Sequence, residues 1–396
     1  MPRTSLDPAA VAALTARLSA VDPRSPSGRQ PVHTCYVPAD RVHASTPAEW
    51  GAQALAALEK YSPKDFAALL GVPEDLYGRV RAKLEAEPVE DLRIDFEDGY
   101  GVRPTEDAED ADAERTALVV RDWVAAGRAP SRFGLRMKSF DTRALLERGL
   151  RTLDVFVTTL GEVPPGFVVT FPKVTSVAQV EVFTDVLDLL GADLRFEIQI
   201  ETTQSIVDTK GRLTVPRLIE AGRGRVTALH FGTYDYTASC GLGAAHQHLA
   251  HGACDFARNV MQVSAAGHGV ELSDGSTNVL PTGDNVEHGW RTHYALVRRS
   301  LAHGFYQGWD LHPAQLVTRY AAVYAYYRET LEAEAERLKA YVDKAGGAVL
   351  DEPATAQALS TSFLRALDCG AVDQAELHAL TGLALSDLRA LARRTP

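Results

Sequence analysis

The chain has 396 residues, with 41 Lys and Arg against 52 Asp and Glu, four Cys, and 45% apolar residues. The formal charge of −11 leaves no whole-chain positive field for nucleic acid or an anionic membrane, so both are set aside as partners. The length suits two or three average domains, or one α/β barrel of about 250 residues with additions.

Cys35, Cys240, Cys254 and Cys369 show no CxxC spacing, so a reducing cytoplasm is expected in place of a disulfide framework or a thiolate zinc site. Charges interrupt the opening MPRTSLDPAAVAALTARL, and no later run approaches about 18 apolar residues, so the expectation is a soluble protein that is not exported.

Asp7-Pro8 reads as an N-cap and first-turn proline, followed by a stripe of Val11, Leu14, Leu18 and Val21 expected to pack against the body. DPRSPSGRQP (22–31) reads as a linker. Eight short apolar runs then alternate with longer helical patterns: 33–38, 92–97, 132–137, 167–172, 194–200, 226–231, 269–274 and 307–313. Strands separated by helices predict a (β/α)8 TIM barrel. Helical spacing marks 47–61, 177–191 and a long stretch over 314–345. The acidic run 105–114 reads as the solvated start of a helix. The expected organisation is an N-terminal helix and linker over 1–31, the barrel over 32–345, and a helical C-terminal extension over 346–396.

Barrel enzymes place their chemistry where strands end, so polar residues that terminate the runs are the informative ones. Run two ends in Asp95, Glu97 and Asp98, run three in Arg136 with Lys138 following, and run four in Lys173. Run five ends in Glu201 flanked by Gln199 and Thr202, run six leads to Asp235, and run eight to Asp310, His312 and Gln315. Alternation would otherwise put some of these charges in an apolar interior at large cost. Two carboxylates without a nearby His or Cys suit a hard cation, Mg²⁺ with Mn²⁺ as the substitute. Such an ion, chelated by a 2-oxo acid, stabilises an enolate or polarises a carbonyl, and Arg136 adds fixed positive charge beside that oxygen. Alternatively, Glu201 and Asp235 form salt bridges with Arg136 and Lys173 in the barrel mouth.

These segments resemble the citrate lyase β subunit/HpcH–HpaI aldolase superfamily. HTCYVPADRV (33–42) is similar to its opening LFVP-type strand, DFEDGYG (95–101) to its DLEDAV-type segment and LRMKS (135–139) to its RVNS-type segment. FPKV (171–174), IQIET (198–202), FGTYDYTASCGLG (231–243) and GFYQGWDLHPAQL (304–316) resemble its PK, IET, G-x-x-D-L and G-x-x-G-K-x-x-I-H-P-x-Q segments, in the same order. GTYDYTAS (232–239) is nearer to the GRWDYIFS segment of malate synthases, and LDEPATAQALS (350–360) resembles their C-terminal MEDxATxxIS segment.

The resemblance implies Glu201 and Asp235 as Mg²⁺ ligands, and Arg136 as the group holding the oxo acid or enolate oxygen. Asp95, Glu97 and Asp98 would order Arg136 and the metal-bound waters, Asp98 being counted with Arg136 and Glu352 among the catalytic candidates. Lys173, Gly232, Thr233 and Tyr234 would lie at the substrate. Glu352 would occupy the place of the base that deprotonates an acyl-CoA, although the segment also reads as a helix start with Asp351 capping it and Pro353 in its first turn. Met137-Lys138 and Trp309-Asp310 depart from the family pattern, which carries Val-Asn and a lysine there.

His246, His248 and His251 invite a zinc reading, but residues two apart do not share a helix face and no HExxH pattern accompanies them. Gly241-Leu242-Gly243 is too short for a dinucleotide fingerprint. The Tyr-rich 320–329 segment reads as helix packing or an oligomer contact.

The leading expectation is a Mg²⁺-dependent carbon–carbon lyase or synthase acting on a short acyl-CoA and 2-oxo acid pair, with a homo-oligomer left open. The alternatives are a CoA-independent aldolase releasing pyruvate, and a non-catalytic barrel that binds a metabolite.

Overall fold

The computed structural model describes residues 7–18, 28–343 and 352–393. The linker segment 22–27, Val21 and Asp351 therefore lie outside the described residues. Eight strands occur where the apolar runs predict them: β1 (His33–Pro38), β2 (Asp91–Asp95), β3 (Arg132–Arg136), β4 (Phe167–Phe171), β5 (Arg195–Ile200), β6 (Val226–Phe231), β7 (Glu271–Asp274) and β8 (Gln307–Asp310). Each pairs in parallel with the next, and β8 closes on β1, forming a (β/α)8 barrel.

Alternate strand residues face out toward the helices. Phe171 and Phe196 meet Phe183 of the helix Val177–Leu190 at ring-centroid distances of 4.7 and 5.1 Å, so the main apolar core lies between barrel and helices. The other face of the strands points into the barrel, and it is polar. Arg93 sits there at 0% exposure, donating to Glu197 through Nε (3.0 Å) and Nη2 (2.7 Å), with Asp91 as its second carboxylate partner. Burial raises the Glu197 carboxyl, but the Arg93 charge and the hydrogen bonds from His230 and Arg93 outweigh it and hold the group well below its ordinary range. The expectation of an apolar barrel interior is corrected: Arg93, Asp91 and Glu197 occupy it, and their mutual ion pairs offset part of the desolvation cost.

The first helix, Pro8–Leu18, starts as predicted, with Asp7 Oδ1 accepting from the Ala9 amide at 3.0 Å. Its described side chains do not pack on the body, because residues 7–16 are all exposed. The long helical stretch after β8 divides at Thr330, whose φ of −114° and ψ of 1° leave the helical region, into Gln315–Glu329 and Leu331–Val342. Tyr320, Tyr324 and Tyr327 are buried in the first of these, so the Tyr-rich spacing is ordinary packing. Helices Pro353–Cys369, Gln374–Thr381 and Leu385–Arg393 form the C-terminal extension. It is tied to the barrel by Tyr324 Oη donating to the Cys369 carbonyl (3.1 Å) and Arg328 to Glu376 (3.0 Å). Among the described residues, no helix is long and apolar enough to cross a membrane. The four cysteines are free.

Candidate active site

Asp95, at the end of β2, organises the turn that follows. Its Oδ1 accepts from the Glu97 amide and its Oδ2 from the Gly99 amide, each at 2.9 Å, while Arg136 at the end of β3 grips both oxygens at 2.7 Å. A Cβ on Gly99 would lie 2.6 Å from Asp95 Oδ2, so only glycine permits this close turn. Lys138 secures the turn from behind by donating to the Phe96 carbonyl at 2.8 Å and pairing with Glu109 at 2.9 Å. The departure at Lys138 thus builds the acidic loop and does not face the mouth.

Lys173 follows β4 in a left-handed conformation, φ +49°. Its backbone N–H donates to Glu201 Oε1 at 2.8 Å, and its ammonium reaches Glu97 (2.5 Å), Asp98 (2.7 Å) and Asp235 (3.7 Å). Glu201, just past β5, is 2% exposed and lies against Gly232. Asp235 is in the first turn of the short helix Thr233–Ser239 after β6. Asp95, Glu97, Asp98, Arg136, Lys173, Glu201 and Asp235 therefore meet at the C-terminal mouth of the barrel, where such folds carry their chemistry. The predicted salt bridging is partial: Lys173 touches Asp235 and its backbone touches Glu201, whereas Arg136 is committed to Asp95 and stands 3.4 Å from Glu97.

The charges at the mouth are unbalanced. Burial pushes the Glu201 carboxyl up to about 8, against Lys173 and with help from Asp235 and Glu97. Burial also raises Asp235 and Glu97, while the Lys173 hydrogen bond and charge outweigh burial at Asp98 and lower it. Among the described residues, no group of three His, Cys, Asp or Glu is arranged to hold a metal ion. Glu201 and Asp235 nevertheless fit a hard dication bound in part by the protein: both donors are oxygen, both are disfavoured as anions without added positive charge, and two carboxylates leave positions for water and substrate.

The remaining predicted residues have other partners. Thr233 is 2% exposed, and the Tyr234 hydroxyl accepts from the Asn278 amide at 2.6 Å, securing the loop after β7. Asp310 faces outward from β8 into a fully buried pairing with Arg319 (2.9 Å) and His293 (3.0 Å), so it does not alter the charge of the mouth. Gln315 accepts from the Leu311 and His312 amides (2.8 and 3.1 Å), fixing the turn after β8. Glu352 is exposed at the start of Pro353–Cys369, and no described hydrogen bond or ion pair joins it to the mouth.

The floor of the mouth was not anticipated. Trp309 Nε1 donates to His230 Nδ1 at 3.1 Å, and the other nitrogen of His230 faces Glu197 at 3.0 Å. Because the indole can only donate, neutral His230 carries its proton on Nε2. Tyr36 lies 5.0 Å from Trp309 between ring centroids, and the Arg136 guanidinium sits 4.8 Å from the Tyr36 ring. Same-parity polar residues, Arg93 with Asp95 and Glu197 with Gln199 and Glu201, were the available signal for this inward face.

A family model described as a domain of unknown function, DUF6986, matches residues 11–395. The chain belongs to the DUF6986 family. No curated protein matches it. Among solved structures, this DUF6986 chain is similar to a citrate lyase from Burkholderia xenovorans LB400, with 16% identity over 90% of this chain and 97% of that one and a TM-score of 0.60. It is also similar to the protein CitE from Mycobacterium tuberculosis, in complex with magnesium, acetoacetate and coenzyme A, with 20% identity, coverage of 86% and 98%, and a TM-score of 0.51. A Haloferax volcanii malate synthase with magnesium and glyoxylate matches at 16% identity, coverage of 92% and 97%, and a TM-score of 0.48. At these identities the likeness to the first two establishes the barrel fold.

Proposed function

We propose that this chain is a divalent-cation-dependent carbon–carbon lyase or synthase that works through an enolate on a short acyl-CoA and 2-oxo acid pair. The observation that carries this reading is the convergence of Glu201, Asp235, Arg136 and Lys173 at one barrel mouth. The CitE complex with magnesium, acetoacetate and coenzyme A supports it.

Glu201 and Asp235 would hold Mg²⁺ or Mn²⁺, which when bound supplies Lewis-acid polarisation of the oxo-acid carbonyl and offsets developing negative charge. Arg136 binds and orients the substrate oxygen. Its Nε and Nη2 are occupied by Asp95, which keeps the guanidinium plane fixed and leaves Nη1, 3.4 Å from Glu97 Oε2, as the donor for that oxygen. Glu97 and Asp98 hold Lys173 and the waters at the mouth. Tyr36 and Trp309 close the site below Arg136 and exclude water from the barrel interior. Glu352 is the candidate base for the acyl-CoA α-carbon.

Its exposed position, without a described link to the mouth, favours a second reading in which no acyl-CoA base is needed: a CoA-independent aldolase that cleaves a hydroxy-oxo acid to pyruvate.

Purified protein should release or consume glyoxylate, oxaloacetate or pyruvate, in a Mg²⁺-dependent manner, from a panel of CoA thioesters and free hydroxy-oxo acids. Loss of CoA-dependent turnover in Glu352→Gln supports the first reading, and turnover of free acids alone supports the second. No turnover of any substrate, with ligand binding intact in Glu201→Ala, sinks both in favour of a binding barrel.

A further inference from the structure

Lys173 touches both proposed cation ligands at once, through different atoms. Its amide reaches Glu201 Oε1 (2.8 Å), and its ammonium group lies 3.7 Å from Asp235 Oδ2. The same ammonium bonds Glu97 at 2.5 Å and Asp98 at 2.7 Å. This split reach depends on the left-handed backbone, φ +49°, a conformation that is strained for a non-glycine residue. The strain is retained where one residue must direct its N–H to one carboxylate and its side chain to three others.

The charges explain why. Arg136 and Asp95 neutralise each other through two hydrogen bonds. Lys173 is then the cation within reach of Asp98 and Asp235, it shares Glu97 with Arg136 at 3.4 Å, and no other ion pair is described for Asp98 or Asp235. The side chains of Asp98 and Asp235 are 58% and 44% exposed, whereas that of Lys173 is 17% exposed, so a cation entering from solvent meets the carboxylates with the lysine beneath them.

We propose that Lys173 is a tethered counter-cation for this site: its ammonium group holds Glu97, Asp98 and Asp235 together in the cation-free protein, and it repels and yields to an incoming dication. The lysine therefore weakens cation affinity while its backbone N–H keeps Glu201 in position. The inference rests on Glu201 and Asp235 being the cation ligands. It makes Lys173 a positioning residue whose loss changes affinity in the direction opposite to loss of a ligand.

The test is calorimetric titration of Mg²⁺ into the full chain, with Mn²⁺ binding followed by electron paramagnetic resonance. Lys173→Met should bind either ion about tenfold more tightly than the unaltered protein, since one unit charge close to a dication is removed. Lys173→Arg, which keeps the charge, should stay near the original affinity. The cation-free Lys173→Met protein should also melt lower and gain more from saturating Mg²⁺. Lys173→Gln carries the same expectation as the methionine variant and guards against its misfolding. Equal or weaker cation binding by folded Lys173→Met or Lys173→Gln overturns the proposal while leaving the functional reading intact. Absence of cation binding by the unaltered protein overturns the functional reading itself, and this inference with it.

Discussion

Gly232 lies directly against Glu201: a Cβ added at Gly232 would sit 2.1 Å from Glu201 Oε2 and 2.5 Å from its Cβ. The backbone there, at φ −100° and ψ 99°, is open to any residue, so space and not conformation demands the glycine. Gly232→Ala should push Glu201 out of its position while the barrel still folds. The expected result is a loss of Mg²⁺ affinity of about tenfold or more, as for other changes that misplace a ligand. Calorimetry alongside circular dichroism checks it, and unchanged affinity would show that Glu201 does not bind the cation.

Trp309→Phe removes the N–H that His230 Nδ1 accepts at 3.1 Å and keeps the aromatic plane beside Tyr36. A buried acceptor then loses its donor, which should lower stability by about 1–3 kcal/mol. Tyr36→Phe should cost less, since its hydroxyl accepts only a 3.3 Å bond from Gln199. Denaturant midpoints for the two variants should rank in that order.

Lys138→Met removes the ammonium that pairs with Glu109 and holds the Phe96 carbonyl. Breaking a buried pair on one side should destabilise the protein by about 3 kcal/mol. The residue is remote from the cation, so the specific signature is faster amide exchange over residues 96–101, with the C-terminal helices unaffected.

Acid should destabilise the protein through the buried Asp310 group. Burial opposes ionisation, but Arg319, His293 and His33 face Asp310 and hold its carboxyl well below the ordinary value. Burial also lowers His293, with Asp310 opposing and Arg319 and His33 contributing. Both shifts are downward, so both contributions to stability are present above the unfolded values, about 6.5 for His and about 3.9 for Asp, and are lost as pH falls. Asp310→Asn should be less stable than the unaltered protein at neutral pH, and the difference should narrow below about pH 4. A difference that does not depend on pH would contradict the assignment.

The strands and the terminating residues Asp95, Arg136, Lys173, Glu201 and Asp235 could be read locally, because each depends on a short apolar run and on what ends it. Parity was also present in the chain, yet it was not enough to say that the inner face is ionic. Arg93 is tolerable there because Asp91, two residues away, and Glu197, from three strands away, both pair with it, and local sequence carries no record of the second partner. For the same reason Asp310 looked like a mouth residue until the helices bearing Arg319 and His293 closed over its outward side.

The amino-acid sequence by itself determined the barrel, the order of its strands and the polar residues at their ends, since hydrophobic periodicity and strand termination are local properties. Only the tertiary structure decided which carboxylates share one mouth, that Tyr36 and Trp309 floor it, that Lys138 builds the acidic turn, and that Glu352 stands exposed. Those outcomes depend on contacts between residues tens to hundreds of positions apart, where burial and pairing, which no single segment encodes, set the energy of each charge.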